Sequence, residues 1–243
     1  MERKLTDSGK KFLILAVFAV AMGAFEAIVV IYLRRIYYPE GFEFPLKLFS
    51  SRMLSIELLR EFSTILMIVS VAFLSARDAL KRLAWFLYIF AVWDIFYYFF
   101  LKMLIGWPPS ILTWDILFLI PVTWIGPVLA PVICSITMIF MTICIIYPQD
   151  RGYRVRMTGL EWLFVISGSF MILWSFTKDY LLIIVRGGFW RDFLNMAENS
   201  GFRLAVSGFI PSNFSWYTFA AGEILILAGL FLLLRRTLRL TAE

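Results

Sequence analysis

The sequence predicts an all-α integral membrane protein, a polytopic bundle of about six transmembrane helices whose fourth span is long and proline-kinked or broken. The chain is 61% hydrophobic and 16% charged, with a mean hydropathy of +0.84. A soluble domain, in contrast, is about half apolar and a quarter charged. The apolar residues form runs long enough to cross a bilayer, and basic clusters separate these runs in alternation. We treat residues 1–243 as a single transmembrane domain.

Five of the predicted spans are ordinary apolar runs, at about 12–33, 56–76, 83–105, 160–185 and 214–234. The first run follows a basic start, as the apolar region of a signal peptide does. That region is only about 7–15 residues long in signal peptides. The longer run here is therefore predicted to remain as a membrane-spanning helix.

The fourth span, residues 111–147, is much longer than the ~20 residues that a transmembrane helix needs. Proline removes a backbone donor and clashes with the preceding turn, so a kink or break is expected near Pro121, Pro127 and Pro131. One arrangement is a tilted, kinked helix that begins with an interfacial turn. The other is a broken chain, which survives at membrane depth only where protein or a water-filled cavity surrounds it.

The composition excludes several kinds of site. The sequence contains no histidine, which removes bis-histidine haem, histidine-containing zinc or di-iron sites, and nucleophiles that depend on a histidine base. Its two cysteines, Cys134 and Cys144, point in different directions on one helix, so neither a disulfide nor a metal site is expected there. No phosphate-binding loop or serine-elbow motif occurs. Because these residues and motifs are missing, the sequence predicts no cofactor and no metal site.

Basic clusters predict the orientation, because positive residues concentrate in short cytoplasmic segments. With both termini in the cytoplasm, the inner segments carry Arg3, Lys4, Lys10 and Lys11; Arg77, Lys81 and Arg82; Arg151, Arg154 and Arg156; and Arg235, Arg236 and Arg239. Arg34 and Arg35 oppose this assignment, since they follow the first span on the outer side. The predicted location is the cell (inner) membrane.

The same clusters account for the formal charge of +6, so it does not indicate nucleic-acid binding. The predicted partners are the lipid bilayer, an apolar or amphipathic ligand, and other membrane proteins.

Two long loops lie on the outer side in this topology. Residues 37–55 are rich in apolar side chains, which is typical of a segment lying at the membrane interface. Within residues 187–213, positions 189–194 are predicted to form a short amphipathic helix that closes at 199–201. Such loops serve as lids over a site or as interfacial anchors.

Carboxylates inside the spans are the most informative feature. A charged side chain costs about 2.5–3.5 kcal/mol at the centre of a membrane helix, so such residues usually face the bundle interior. At ~1.5 Å per residue, five acids lie about 6–16 Å below the outer surface. They are Glu26, Glu61, Asp94, Asp115 and Glu223. The inner half of the membrane holds almost none.

Helix spacing indicates that these acids converge on one polar cavity. Glu57 and Glu61 are both within reach of Arg60, and Asp94 shares a stripe with Lys102. Small residues, including Gly23 and Gly222, make close-contact faces beside two of the acids. The predicted cavity comprises Glu26, Glu57, Arg60, Glu61, Asp94, Tyr98, Lys102, Asp115 and Glu223. Alternatively, the acids paired with Arg60 and Lys102 form structural ion pairs.

Three functions of different class remain open. The first uses the charge asymmetry and is proton- or cation-linked transport of a small or amphipathic solute. The second is an intramembrane enzyme that modifies a lipid or isoprenoid, with Asp94, Glu26 or Glu223 as acid or base, alone or with a hard divalent cation. The third is a non-catalytic subunit or assembly factor of a membrane complex. Catalytic residues stay unassigned, and whether the chain is an enzyme stays open.

The orientation yields a labelling prediction. Cysteines introduced as Gly41→Cys and Asn195→Cys should react with a membrane-impermeant maleimide applied from outside, and Gly152→Cys should react only from the cytoplasmic side. The reason is the basic clustering around residues 151–156. Labelling of Gly152→Cys in intact cells would overturn the orientation.

Overall fold

The structure, a computed structural model, describes residues 7–47, 49–191 and 198–239. Its elements in chain order are α1 (Asp7–Tyr37), α2 (Ser51–Ser75), α3 (Ala79–Ile105), β1 (Trp114–Phe118), β2 (Trp124–Pro127), α4 (Leu129–Asp150), α5 (Gly159–Arg186), α6 (Ser200–Ser207) and α7 (Trp216–Arg239). All of these helices except α6 are long and apolar enough to cross a membrane. The predicted all-α polytopic membrane bundle is confirmed.

Local capping explains where several spans begin. Ser50 accepts a hydrogen bond from the Met53 N–H, so α2 starts at Ser51, before the predicted position 56. Asp78 caps α3 in the same way. Thr158 and Glu161 form a capping box at the start of α5, in which each side chain accepts a hydrogen bond from the other residue's backbone N–H.

Both described chain ends lie at one end of the bundle, called here the terminal end. There, Ser8 of α1 donates to Asp150 at the end of α4, with Oγ and Oδ1 2.7 Å apart. Arg236 of α7 pairs with Glu161 of α5 at 3.0 Å. The opposite end, called the hairpin end, carries the two strands, the loop between α1 and α2, and α6.

The long fourth span divides into two different structures. Its first part is an antiparallel hairpin in which Trp114 lies opposite Pro127 and Asp115 opposite Gly126. Its second part is α4, where Pro131 lies in the first turn and the missing N–H costs no helix hydrogen bond. The expectation of a broken chain is therefore right, and the continuous kinked helix is wrong. Periodicity misses the strands because a short apolar run fits a strand and a buried helix equally well.

Close contacts between small residues hold the helices together. α1, α2 and α4 all pack on α3, and α7 packs on α4 and α5. A methyl group at Gly23 would lie 2.9 Å from the Trp93 carbonyl oxygen of α3. Gly168 of α5 and Gly222 of α7 are equally tight, since a methyl group on Gly168 would lie 2.5 Å from the Gly222 carbonyl oxygen. The predicted small-residue faces are thus helix contacts.

The loops at the hairpin end pack on the protein. Leu46, in the loop before α2, is buried in a cluster with Ile125, Phe202 and Val206. Of the predicted amphipathic helix at 189–194, positions 189–191 form a short 3₁₀ turn and the remaining positions lie outside the described residues; the next helix described is α6. Asn199 starts α6 by accepting from the Phe202 N–H at 3.1 Å, as expected of a residue type that favours helix starts. Positions 48 and 192–197 lie outside the described residues.

The α5–α7 contact gives a prediction with a matched control. Gly168→Ala should lower the melting temperature of the detergent-purified protein, because overpacking costs about 1–3 kcal/mol. Gly159→Ala, in the first turn of the same helix, has nothing within 4 Å of the added methyl group and should leave the melting temperature unchanged or raise it. Equal melting of the two variants would contradict the close packing of α5 on α7.

Candidate functional site

A cavity of about 190 Å³ lies at the hairpin end, enclosed by α1, α2, α3, the hairpin, α6 and the loop before α2. We call it the pocket. It is smaller than the ~300–1,000 Å³ of typical small-molecule sites, so it fits one polar end of a ligand better than a whole drug-sized molecule. Its charged lining consists of Glu26, Arg34, Lys47, Glu57, Arg60, Glu61, Asp94, Asp115 and Arg203.

Arg60 holds two carboxylates from two helices. Its guanidinium forms a two-pronged pair with Glu57, one turn earlier on α2, with Nε and Oε2 3.0 Å apart. The remaining nitrogen, Nη1, donates to Glu26 of α1. The glutamate side chains are about nine-tenths buried. Because removing a charge from water is costly unless it is paired, this cluster fixes α1 beside α2.

Glu61 has a different partner from the one that its spacing suggested. Its Oε2 accepts a hydrogen bond from the backbone N–H of Leu119, just after β1, at 2.9 Å. No ion pair of Glu61 within 4.0 Å occurs among residues 7–47, 49–191 and 198–239. Arg60 donates to Glu26 and Glu57, whereas Glu61 attaches α2 to the hairpin.

Arg34 and Asp115 form a second buried pair. Arg34 Nη2 lies 2.9 Å from Asp115 Oδ1, and only 10% and 2% of the two side chains are exposed. Tyr98 donates to the other aspartate oxygen at 3.3 Å. The guanidinium carbon also lies 3.6 Å from the ring centroid of Trp107 and 4.6 Å from that of Phe42. Arg34 is thus a structural partner of the hairpin, which explains why a basic residue lies at this end of α1.

The predicted stripe on α3 divides between two environments. Asp94 and Tyr98 line the pocket, and Asp94 Oδ2 accepts from the Ser135 hydroxyl of α4 at 2.9 Å. Lys102 is outside the lining, since its Nζ donates to the carbonyl oxygens of Gly106 and Pro108. Carbonyl groups at a helix C-terminus lack intrahelical partners, and the long lysine side chain reaches them. The expected Asp94–Lys102 pair is therefore absent from the described part of the chain.

Glu223 also lies away from the pocket. It sits on α7 against α4, where its Oε2 accepts from the Thr137 hydroxyl at 2.7 Å. Its Oε1 is buried and has no hydrogen-bond partner within the described ranges. The reason is tertiary: α7 packs on α4 and α5, whereas the pocket lies between α1, α2 and α3.

Seven of the nine predicted residues thus line one cavity: Glu26, Glu57, Arg60, Glu61, Asp94, Tyr98 and Asp115. Helical spacing did not identify five further lining residues: Arg34, Trp93 and Tyr97 in the spans, and Lys47 and Arg203 in the segments that cover them. Arg34 could have been noticed, since it is a basic residue at the outer end of the first span, where the predicted orientation places few basic residues. Nothing in the sequence around the other four residues indicates a site, and only the fold brings them to the pocket.

The charges divide along the depth of the pocket. Arg34 lies three residues from the end of α1, about 4–5 Å deep at ~1.5 Å per residue, while Glu26 lies about 16 Å deep. The mouth, where the loop and α6 add Lys47 and Arg203, carries more cations than acids. The floor carries more acids than cations.

Tyr38 lies at the mouth between these covering segments. Its phenol oxygen accepts from the Lys47 backbone N–H at 2.6 Å. Burial raises the pKa of the Tyr38 phenol, which therefore stays a neutral hydrogen-bonding group.

Arginines lie among the pocket carboxylates. The described residues hold no group of three or more Asp, Glu or Cys side chains placed to share a metal ion. Glu26, Glu57 and Asp115 each form an ion pair with an arginine guanidinium instead of contacting one another.

No family model matches the chain, and neither a curated protein nor a solved structure matches it.

The Arg60 cluster gives a stability prediction. Arg60→Gln should lower the melting temperature strongly, because removing one partner of a buried ion pair costs about 3–5 kcal/mol and here leaves two carboxylates without a cation. Arg52→Gln, at an exposed position about two turns earlier on α2, should melt within about 0.5 kcal/mol of the wild type. Thermal unfolding in one detergent measures both. Wild-type melting of Arg60→Gln would contradict the cluster's structural role.

Proposed function

We propose that this integral membrane protein binds the polar end of an amphipathic, lipid-like ligand in the pocket and carries out proton-transfer chemistry on it. The observation that supports the proposal best is a polar cavity, entered from one end of the bundle, that contains two carboxylates without an ion-pair partner in the described structure. The basic clusters predict that this end faces away from the cytoplasm.

The apolar core below the floor of the pocket favours a reaction at one end of the bundle over transport through it. Below Glu26, Glu61 and Asp94, the terminal half of the bundle is filled with buried apolar side chains. They include Ile68, Ala72, Trp85, Ile89, Ile145, Ile146 and Leu233, all at most 2% exposed. Such a core supports binding and reaction at one face more than passage of a polar solute through the bundle.

The two unpaired carboxylates are suited to acid–base work. Each is positioned by a single hydrogen bond, Glu61 by the Leu119 N–H and Asp94 by the Ser135 hydroxyl. A positioned carboxylate that makes no direct ion pair can accept a proton from a ligand group within hydrogen-bond reach and return it. We assign this role to Glu61 and Asp94, while Glu26, Glu57 and Arg60 form the supporting wall.

The remaining lining favours an amphipathic ligand over a wholly polar one. Val30 and Leu33 of α1 and Leu54 of α2 are apolar residues of the pocket lining. An acyl or isoprenoid chain placed between α1 and α2 would keep its apolar part in the bilayer while its polar end reached the carboxylates.

The proposal predicts the behaviour of two near-isosteric variants. Wild-type protein incubated with an extract of its native membrane lipids should change the abundance of one amphipathic species, followed by mass spectrometry of the extract. Asp94→Asn and Glu61→Gln should abolish that change while melting as the wild type does, because an amide keeps the shape and can still hydrogen-bond. Glu43→Gln, at an exposed acid of the same end, should retain full conversion. Conversion by both pocket variants would overturn the proposal.

Proton- or cation-linked transport is the second candidate, favoured by the concentration of carboxylates at one end of the bundle. Proteoliposomes with an internal pH-sensitive dye separate the two functions. Proton flux through the wild type that Asp94→Asn abolishes would favour transport. A strong loss of melting temperature in both pocket variants would instead favour the third candidate, a scaffold subunit held together by its buried charges.

A further inference from the structure

We infer that Arg34 receives an anionic group of the ligand, a carboxylate or a phosphate, at the mouth of the pocket. This inference rests on the proposed function and narrows its substrate class to anionic amphipaths. It concerns a residue that helical spacing did not single out, and its basis is the hydrogen bonding of one guanidinium.

The Arg34 guanidinium is held firmly but is not saturated. Asp115 accepts from Nη2, and Trp107 and Phe42 lie against the guanidinium carbon. The Nη1 nitrogen is buried and has no hydrogen-bond partner among the described residues. A buried donor without an acceptor is unfavourable, so an acceptor brought by a ligand would remove that penalty.

A second residue of the pocket lining also carries a buried hydrogen-bond donor without an acceptor in the described structure. The indole Nε1 of Trp93 is buried and also lacks an acceptor within the part of the chain that the structure describes. Within the described ranges, two residues that line one cavity thus each carry a buried donor without an acceptor, which fits a ligand that is rich in acceptor oxygens. Carboxylates and phosphates are such groups, and a guanidinium binds them with directed hydrogen bonds.

The distribution of charge places the anion at the mouth. Arg34, Lys47 and Arg203 line the outer part of the pocket, where Asp115 pairs with Arg34. The deeper carboxylates would repel a second anion. An anionic group therefore binds beside Arg34, while the uncharged remainder of the polar end extends toward Glu61 and Asp94.

The test uses three probes and the purified full-length chain. Dihexanoyl phosphatidic acid, neutral dihexanoylglycerol and inorganic phosphate are titrated in one detergent by isothermal titration calorimetry. We expect saturable binding of phosphatidic acid at least tenfold tighter than that of dihexanoylglycerol. Inorganic phosphate binding as tightly as phosphatidic acid would identify a free anion as the source, and weaker binding would identify an anionic lipid; both support an anion receptor.

Matched variants distinguish binding of the anion by Arg34 from attraction by any cation at this end of the bundle. Arg34→Gln alone leaves Asp115 unpaired, so the informative variant is the double change Arg34→Gln with Asp115→Asn, which replaces the ion pair by a neutral amide pair. It should melt near the wild-type temperature and bind phosphatidic acid about 10–100-fold more weakly, the range of a hydrogen bond to a charged group. Arg52→Gln removes an exposed cation at the same end and should bind as the wild type does.

Two results would overturn the inference: unchanged phosphatidic acid binding by the folded double variant, or equal affinity of the wild type for phosphatidic acid and dihexanoylglycerol. In the second case the pocket would still bind amphipaths, so the proposed function would stand. Conversely, phosphatidic acid binding that depends on Arg34, without conversion of any lipid, would refute the proton-transfer chemistry and leave the anion receptor in place.

Discussion

The pairing of two buried arginines is the interaction on which the hairpin end of this protein depends. A guanidinium away from water is tolerated only when carboxylates and hydrogen bonds replace its hydration. Arg60 therefore fixes α1 beside α2 through Glu26 and Glu57, and Arg34 fixes the hairpin to α1 through Asp115. Because these pairs connect elements that are distant in sequence, they define the walls of the pocket as well as stabilise the bundle.

The hairpin shows how irregular backbone is accommodated in a membrane protein. Its two strands satisfy the backbone groups that face each other, and the turn between them donates the Leu119 N–H to Glu61. The prolines that prevent a continuous helix at residues 121–127 thus create a wall of short strands beside three helices. Above this wall the loop before α2 and α6 share one apolar cluster, so the cover of the pocket is packed on its wall.

The lipid-like ligand that we propose rests on three properties of the pocket: a cationic mouth, an acidic floor and apolar lining residues on α1 and α2. The carboxylates fall into two groups with different roles. Glu26, Glu57 and Asp115 neutralise arginines, while Glu61 and Asp94 are positioned by single neutral donors. The separation follows from which acids each guanidinium reaches, and it is the reason for assigning chemistry to only two of them.

Sequence alone determined the all-α membrane bundle and the small-residue faces of its helices, because hydrophobic length and helical periodicity are local properties. It also indicated that the acids gather at one end of the bundle, since a charged side chain inside a membrane span is costly unless it faces the protein interior. Only the tertiary structure decided the partners: Glu61 binds the hairpin instead of Arg60, Lys102 turns to the end of its own helix, and Glu223 faces α4. Helical spacing gives the face of a residue on its own helix, whereas which neighbour that face meets depends on how separate helices pack.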